Sequence, residues 1–327
     1  MENIEKQILA TVVYFDCFNY ALSLNDLFNF LVSLKHLGLS SDNVASDKIS
    51  ELLKKDNLKK YISVQNNLYF LKGRENLVAL REEREKISAR HFKILKKYLN
   101  LFSALPFVRG LSLSGSLAIQ NIREDSDWDL FFLVQKGRLY TVAFSASLLA
   151  ALFFRKWQRF GFKNIFCLNH FVVSDDTQMP SHSIYEAAEF LKMKPVFDDG
   201  GHFEKFIQCN KKWMENYFSH IGTNLEKREI KNTRWLLWFK KIKENLLQGK
   251  MGDWLEKLFR KIIISRIRKN KRRLEGFGRI ILDDKQIEYH PRSPQKEIIE
   301  NYNATMKKLG FEDLAKEKDS GLYLIER

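Results

Sequence analysis

The sequence predicts an α+β protein: a small mixed sheet flanked by helices, with a helix-and-hairpin domain before it and a basic helical region behind. Three observations carry that prediction. Two apolar runs of buried-strand length, Val108–Leu113 and Leu130–Val134, bracket a Gly-Ser turn and an acidic pair. Helical periodicity dominates elsewhere, as in Ile4, Ile8, Val12 and Phe15. The charge is lopsided: the formal net is +15, and residues 226–280 alone hold 18 Lys/Arg against 6 Asp/Glu. Such a field favours anionic partners, nucleic acid or a membrane surface.

At 327 residues the chain can bury a sizeable core, and its length suggests two or three domains. With 45% hydrophobic and 29% charged residues it is not a disordered chain. Cys17, Cys167 and Cys209 are far apart with no CxxC spacing, and the histidines show no HxxxH or HExxH. Metal binding through Cys or His is therefore not expected. The start, Met1-Glu2-Asn3-Ile4-Glu5-Lys6, lacks a secretory pattern. The longest apolar run, Leu139 to Phe154, is short of the ~20 residues a bilayer span needs. It reads as a buried helix, so the expectation is a cytoplasmic protein with no transmembrane segment.

Residues 1–87 read as a winged-helix-like domain. After the first periodic segment, Ser23-Leu24-Asn25-Asp26 has the form of a capping box before a second helix, Leu27 to Leu34. Asp42-Asn43 would cap a third helix carrying Val44, Ile49, Leu52 and Leu53. Tyr61–Gln65, a turn at Asn66-Asn67 and Leu68–Leu71 read as a hairpin. Three helices and a two-stranded wing suit DNA binding or docking. The third helix and its exit carry Lys48, Lys54, Lys55, Lys59 and Lys60 but no arginine, the usual reader of guanine.

Glu75 to Arg90 alternates charges at i,i+3 and i,i+4 spacing, as on a solvated connecting helix. Phe92, Leu95, Leu99 and Phe102 then form an apolar stripe that packs under the first strand and ends near Pro106.

The core, residues 88–225, carries the chemistry. Leu113-Ser114-Gly115-Ser116 has the content of a tight strand-to-helix turn, and after ten intervening residues comes Asp127-Trp128-Asp129-Leu130. Carboxylates at i and i+2 on a strand share a face, a natural seat for a hard divalent cation such as Mg²⁺. The competing reading is a surface turn followed by a solvated edge strand. Two acids interrupting an apolar strand are costly without partners, which favours the functional one.

Gly-Ser, a spacer and Asp-x-Asp together resemble the signature of the polymerase-β-like nucleotidyltransferase superfamily. The resemblance implies that Gly115, Ser116 and the helix after them hold an NTP's phosphates. It also implies that Asp127 and Asp129 are catalytic and bind Mg²⁺ (or Mn²⁺). Ser126 would orient the Asp pair, and Arg123 would contact phosphate. Tyr14-Phe15-Asp16, Leu71-Lys72-Gly73-Arg74 and Gly137-Arg138-Leu139 are similar to an uncharacterised bacterial group of nucleotidyltransferase-domain proteins. Members usually carry a third acid on a following strand. Here that strand, Asn164–Val173, holds Asn169 and His170 instead, with Asp175 and Asp176 just beyond. Asp175 or Asp176 could reach the site, His170 or Asn169 could substitute, or the chemistry is lost.

Ser183–Met193 and Phe203–Phe218 read as helices, and Gly200-Gly201 as a turn. Residues 226–327 form the basic, mainly helical region. Trp235, Trp238 and Phe239 lie beside Lys240, Lys241 and Lys243, and Trp254–Ile267 interleaves apolar residues with Lys and Arg. Lys269-Asn270-Lys271-Arg272-Arg273 follows. Aromatics beside cations suit stacking and phosphate contacts on nucleic acid; a basic amphipathic helix equally suits a membrane surface or a solvated face. Arg279–Leu282 and Ile287–Tyr289 read as a hairpin, and Ser293-Pro294 starts a last helix ending near Gly310.

Two functions lead as expectations, with a membrane-surface protein working through the basic helix as a third. One is an enzyme moving a nucleoside monophosphate from an NTP to an acceptor hydroxyl. The other is an impaired member of that fold acting as a nucleotide- or nucleic-acid-binding regulator.

Overall fold

The computed structural model describes residues 1–40, 44–158, 166–175, 177–222, 225–228, 230, 233–270, 278–291, 293–320 and 324–326. The chain is α+β, as its two periodicities predict, and one mixed seven-stranded sheet organises it.

The first segment folds as α1 (Asn3–Asp16), α2 (Leu24–Asn29), α3 (Ser46–Leu52) and α4 (Asp56–Lys59), then the hairpin β1 (Ile62–Gln65) and β2 (Leu68–Leu71). Ser23 caps α2 through a capping box with Asp26, as its sequence predicts. The hairpin turns on Asn66 and Asn67, both at positive φ, the conformation a two-residue turn between twisted strands requires. The helix expected over Leu27–Leu34 stops at Asn29, because Val32 instead bridges to Phe218 and the chain runs extended there. The Asp42-Asn43 cap lies outside the described residues. This segment shares a core with later elements: Tyr14 packs edge-on against Phe218 and Tyr302.

A single 28-residue helix, α5 (Asn76–Ser103), joins the charged and amphipathic stretches and crosses position 87 without a break. Then come β3 (Val108–Leu113), one helical turn α6 (Gly115–Ala118), β4 (Trp128–Val134), α7 (Leu139–Gln158) and β5 (Phe166–Val173). They are followed by α8 (Ile184–Leu191), β6 (Lys194–Asp198) and α9 (His202–Met214). The basic region contributes α10 (Arg234–Leu246), α11 (Lys250–Lys269), β7 (Arg279–Leu282), β8 (Gln286–His290), α12 (Gln295–Lys308) and β9 (Leu324–Glu326).

The strand order is β6-β3-β4-β5-β8-β7-β9, so the hairpin after residue 278 extends the sheet that carries the acidic pair. Strands β4 and β5 are parallel, with α7 crossing between them, while β3–β4 and β5–β8 are antiparallel. Strand β6, not evident in the sequence, contains Pro195 and lies at the sheet edge, where a missing N–H costs no ladder bond. Helix α7 is not wholly buried: Leu148 and Leu152 are exposed, while Phe144 stacks on Phe259 of α11 at 4.2 Å. Among the described residues no helix is long and apolar enough to cross a membrane.

Candidate functional site

The acidic pair sits at the start of β4, and strand alternation divides its three residues. Trp128 points into the core, where its indole donates to His91 Nδ1 at 3.0 Å. Asp127 and Asp129 face the other way, into a cleft of about 610 Å³. Gly115 and Ser116 line the same cleft. Ser114 N donates to the Asp129 carbonyl at 3.0 Å, clamping the turn to the strand. Gly115 has φ +58°, and a Cβ there would lie 2.4 Å from Asp129 Oδ2. Only glycine fits this turn.

Burial pushes the Asp129 carboxyl up to about 7, with Glu189 and Asp127 adding to the rise and Cys167 opposing it. Asp127 is raised too, by burial and then by Asp125. Among the described residues neither carboxylate is ion-paired with a Lys or Arg. Two hard oxygen donors with no such cationic partner fit a divalent cation such as Mg²⁺, which would favour their ionised forms.

The structure separates Ser126 and Arg123 from that cleft. Ser126 Oγ accepts from Arg123 N at 3.0 Å, and the Arg123 guanidinium pairs with exposed Asp125. Neither residue lines the cleft, because the loop before β4 turns them outward.

On β5, Cys167 stands opposite Asp129, so the neighbouring strand offers a thiol where a third acid was sought. A register shift between Asp129 and Phe131 marks a bulge, after which His170 pairs with Phe131. The extra residue returns His170 to the face of Cys167, and Cys167, Asn169 and His170 all line the cleft. Asp175 lies eight residues beyond Cys167, on the order of 25 Å away at ~3.3 Å per residue, and outside the cleft. Asp176 lies outside the described residues.

The cleft's other acids come from elements distant in sequence: Glu186 and Glu189 on α8, and Glu288 on β8. Arg279 of β7 bridges two of them, donating to Glu288 Oε2 at 2.6 Å and pairing with Glu186 Oε1. Burial opposes ionisation of Glu288, yet Arg279, with both neighbouring histidines, holds its carboxyl below the usual range. Burial pushes His170 down to about 4, against the pull of Glu288. Lys192 Nζ holds Glu189 at 2.7 Å. The i,i+2 pair Glu288 and His290 on a readable hairpin was the sequence signal for this wall. Its partners were not adjacent in the chain.

Helix α10 is inverted. Its buried face is charged: Glu244 accepts from Phe107 N at 2.6 Å and from Arg109 at 3.0 Å, and Lys240 donates to the Val108 carbonyl. Its aromatic face is outward, with Trp235, Trp238 and Phe239 exposed, followed by Leu246, Met251 and Trp254. A second cleft of about 660 Å³ runs from Asp127 past Asn169 to Ile263, Arg266 and Asn270 of α11. Asp127 thus opens on one side to the main cleft, which it shares with Asp129, and on the other toward the basic helix.

No protein-family model, no curated protein and no solved structure matches this chain.

Proposed function

We propose that the protein is a metal-dependent nucleotidyltransferase that moves a nucleoside monophosphate from an NTP to an acceptor hydroxyl. The observation that carries this reading is the packing of Gly115 backbone against Asp129, with Asp127 on the same strand face, at the wall of a cleft of nucleotide size. Gly115 lets the backbone approach the phosphates, and Ser116 offers a hydroxyl and an N–H to their oxygens. Asp127 and Asp129 would hold Mg²⁺ or Mn²⁺, which when bound neutralises charge developing on the α-phosphate. The acceptor hydroxyl attacks the α-phosphorus in line, pyrophosphate leaves, and the hydroxyl proton passes to a carboxylate. Glu189, whose charge acts on Asp129, is the cleft carboxylate we assign to that role in place of an acid on β5.

The second cleft, running from Asp127 to Arg266, supports an anionic acceptor, and the exposed aromatics beside Lys241 and Lys243 suit single-stranded nucleic acid. In the same reading, residues 88–225 form the nucleotidyltransferase core and α1 to β2 a winged helix that docks through the core it shares with α12. The specific observation favouring the alternative, a nucleotide-binding regulator, is Cys167 in the register position opposite Asp129.

The test is transfer of label from α-labelled ATP, CTP, GTP and UTP with Mg²⁺ or Mn²⁺. Acceptors are the protein itself, bulk RNA and a cell extract, beside an Asp127→Ala/Asp129→Ala control. Transfer that vanishes in the control is expected. Metal-dependent nucleotide binding without any transfer would establish the regulator instead.

A further inference from the structure

A second group of ligating side chains lies farther along the same sheet, on β5 and β8, and lines the main cleft. His170 of β5 pairs in register with Glu288 of β8, and His290 follows Glu288 by two residues on the same strand face. One ligand atom from each, two imidazole nitrogens and a carboxylate oxygen, lie within 4.8 Å of one another. Glu288 approaches both rings at 3.9 Å, its Oε2 toward His170 Nε2 and its Oε1 toward His290 Nε2. These contacts are too long for hydrogen bonds.

We propose that His170, Glu288 and His290 form a binding site for a first-row transition-metal dication of the Zn²⁺ type, separate from the Asp127/Asp129 pair.

Four features of the surroundings support it. His170 Nε2 is buried and makes no hydrogen bond, which is costly for a polar atom with no ligand of its own. Two imidazoles with one carboxylate are a borderline-soft donor set that selects zinc-like ions over Mg²⁺, and three protein ligands leave a position open for water or substrate. All three residues line the cleft, so that open position faces it. Arg279 does not occupy the site: its 2.6 Å bond takes Glu288 Oε2, and its other arm is held by Glu186. It is the outer partner that fixes a ligating carboxylate, leaving Oε1 toward His290. Metal–ligand bonds of about 2.0–2.1 Å place ligand atoms roughly 3.3 Å apart, so the His290 Nε2–Glu288 Oε1 pair at 3.9 Å closes by about half an ångström, and the three ligand atoms draw in from within 4.8 Å. Of the two rings His290 is the more exposed, at 35% against 13% for His170, and is the one that would make that adjustment.

The proposal does not rest on nucleotide transfer, and its experiment contains no nucleotide. Metal-free full-length protein is titrated with Co²⁺, read by visible d–d absorption, and with Zn²⁺, read by calorimetry. The variants are His290→Ala, His170→Gln and, as control, Asp127→Asn/Asp129→Asn, each checked for folding by circular dichroism. One equivalent is expected to bind to wild type and to the Asp control. At least a tenfold loss is expected in His290→Ala, since even outer-shell partners carry ~10–100-fold. His290 is partly exposed, so this variant decides the matter if His170→Gln fails to fold. No Co²⁺ or Zn²⁺ binding by wild type would overturn the proposal. So would binding that survives in His290→Ala but disappears in the Asp control, which would place the ion on the acidic pair.

Discussion

Gly115 and Asp129 meet where a side chain would otherwise be: a Cβ on residue 115 would sit 2.4 Å from Asp129 Oδ2, and the backbone there is left-handed at φ +58°. Gly115→Ala therefore adds a steric clash to a conformation costing roughly 1–2 kcal/mol for an L-residue. The expected outcome is a lower melting temperature together with loss of label transfer. Ser116→Ala, with no such conflict, should keep its stability and weaken nucleotide binding only.

Asp129 makes the metal-free protein sensitive to pH. Its folded carboxyl sits at about 7, above its ordinary value near 3.8, so between those values the native state holds a proton the unfolded chain has released. Stability without metal should fall as pH rises through that window and level off above it. Asp129→Asn should flatten the profile and exceed wild type at pH 8 by on the order of 2–4 kcal/mol. Mg²⁺ affinity should rise by up to about tenfold per pH unit until 7, because binding displaces the proton. Urea melts at pH 5 and 8 with calorimetric Mg²⁺ titrations check both.

Arg279 ties α8 to the β7–β8 hairpin through buried Glu186 and Glu288. Removing it strands two carboxylates in a low-dielectric wall, so Arg279→Ala should destabilise by ~3–5 kcal/mol in denaturant melts. Arg123→Ala, which breaks only an exposed pair with Asp125, should change stability by less than ~1 kcal/mol.

Trp235 and Trp238 are 58% and 60% exposed on a helix whose inner face is already satisfied by Lys240 and Glu244. Trp235→Ala/Trp238→Ala should leave the melting temperature unchanged and weaken single-stranded RNA binding by ~1–3 kcal/mol for each stacked base. Filter binding over a salt series measures it. Retained RNA affinity with lost sedimentation on anionic vesicles would identify a membrane surface as the partner.

Local pattern made much of this legible. The Ser23 capping box, the Asn66-Asn67 turn, the strands around Gly115 and Asp129, and the 279–290 hairpin each depend on neighbours a few residues away. The placements of Arg123 and Ser126 were not legible, because a loop's direction depends on what it packs against and not on its distance from a motif. Strand β6 escaped notice for a related reason: a five-residue edge strand containing proline has weak local signal and is defined by its pairing with β3.

The sequence by itself determined the α+β class, the acidic pair with its glycine turn, and the concentration of charge after residue 226, because period, spacing and composition are properties of a linear chain. Tertiary structure alone decided which acids and histidines join that pair. Glu189 arrives on α8, and Glu288 and His290 arrive because β8 pairs with β5. Tertiary structure also decided that α10 shows its aromatic face to solvent, since Lys240 and Glu244 found partners on β3 and its approach. Strand order and helix orientation are set by competition among nonlocal contacts, and no short window of residues contains the competitors.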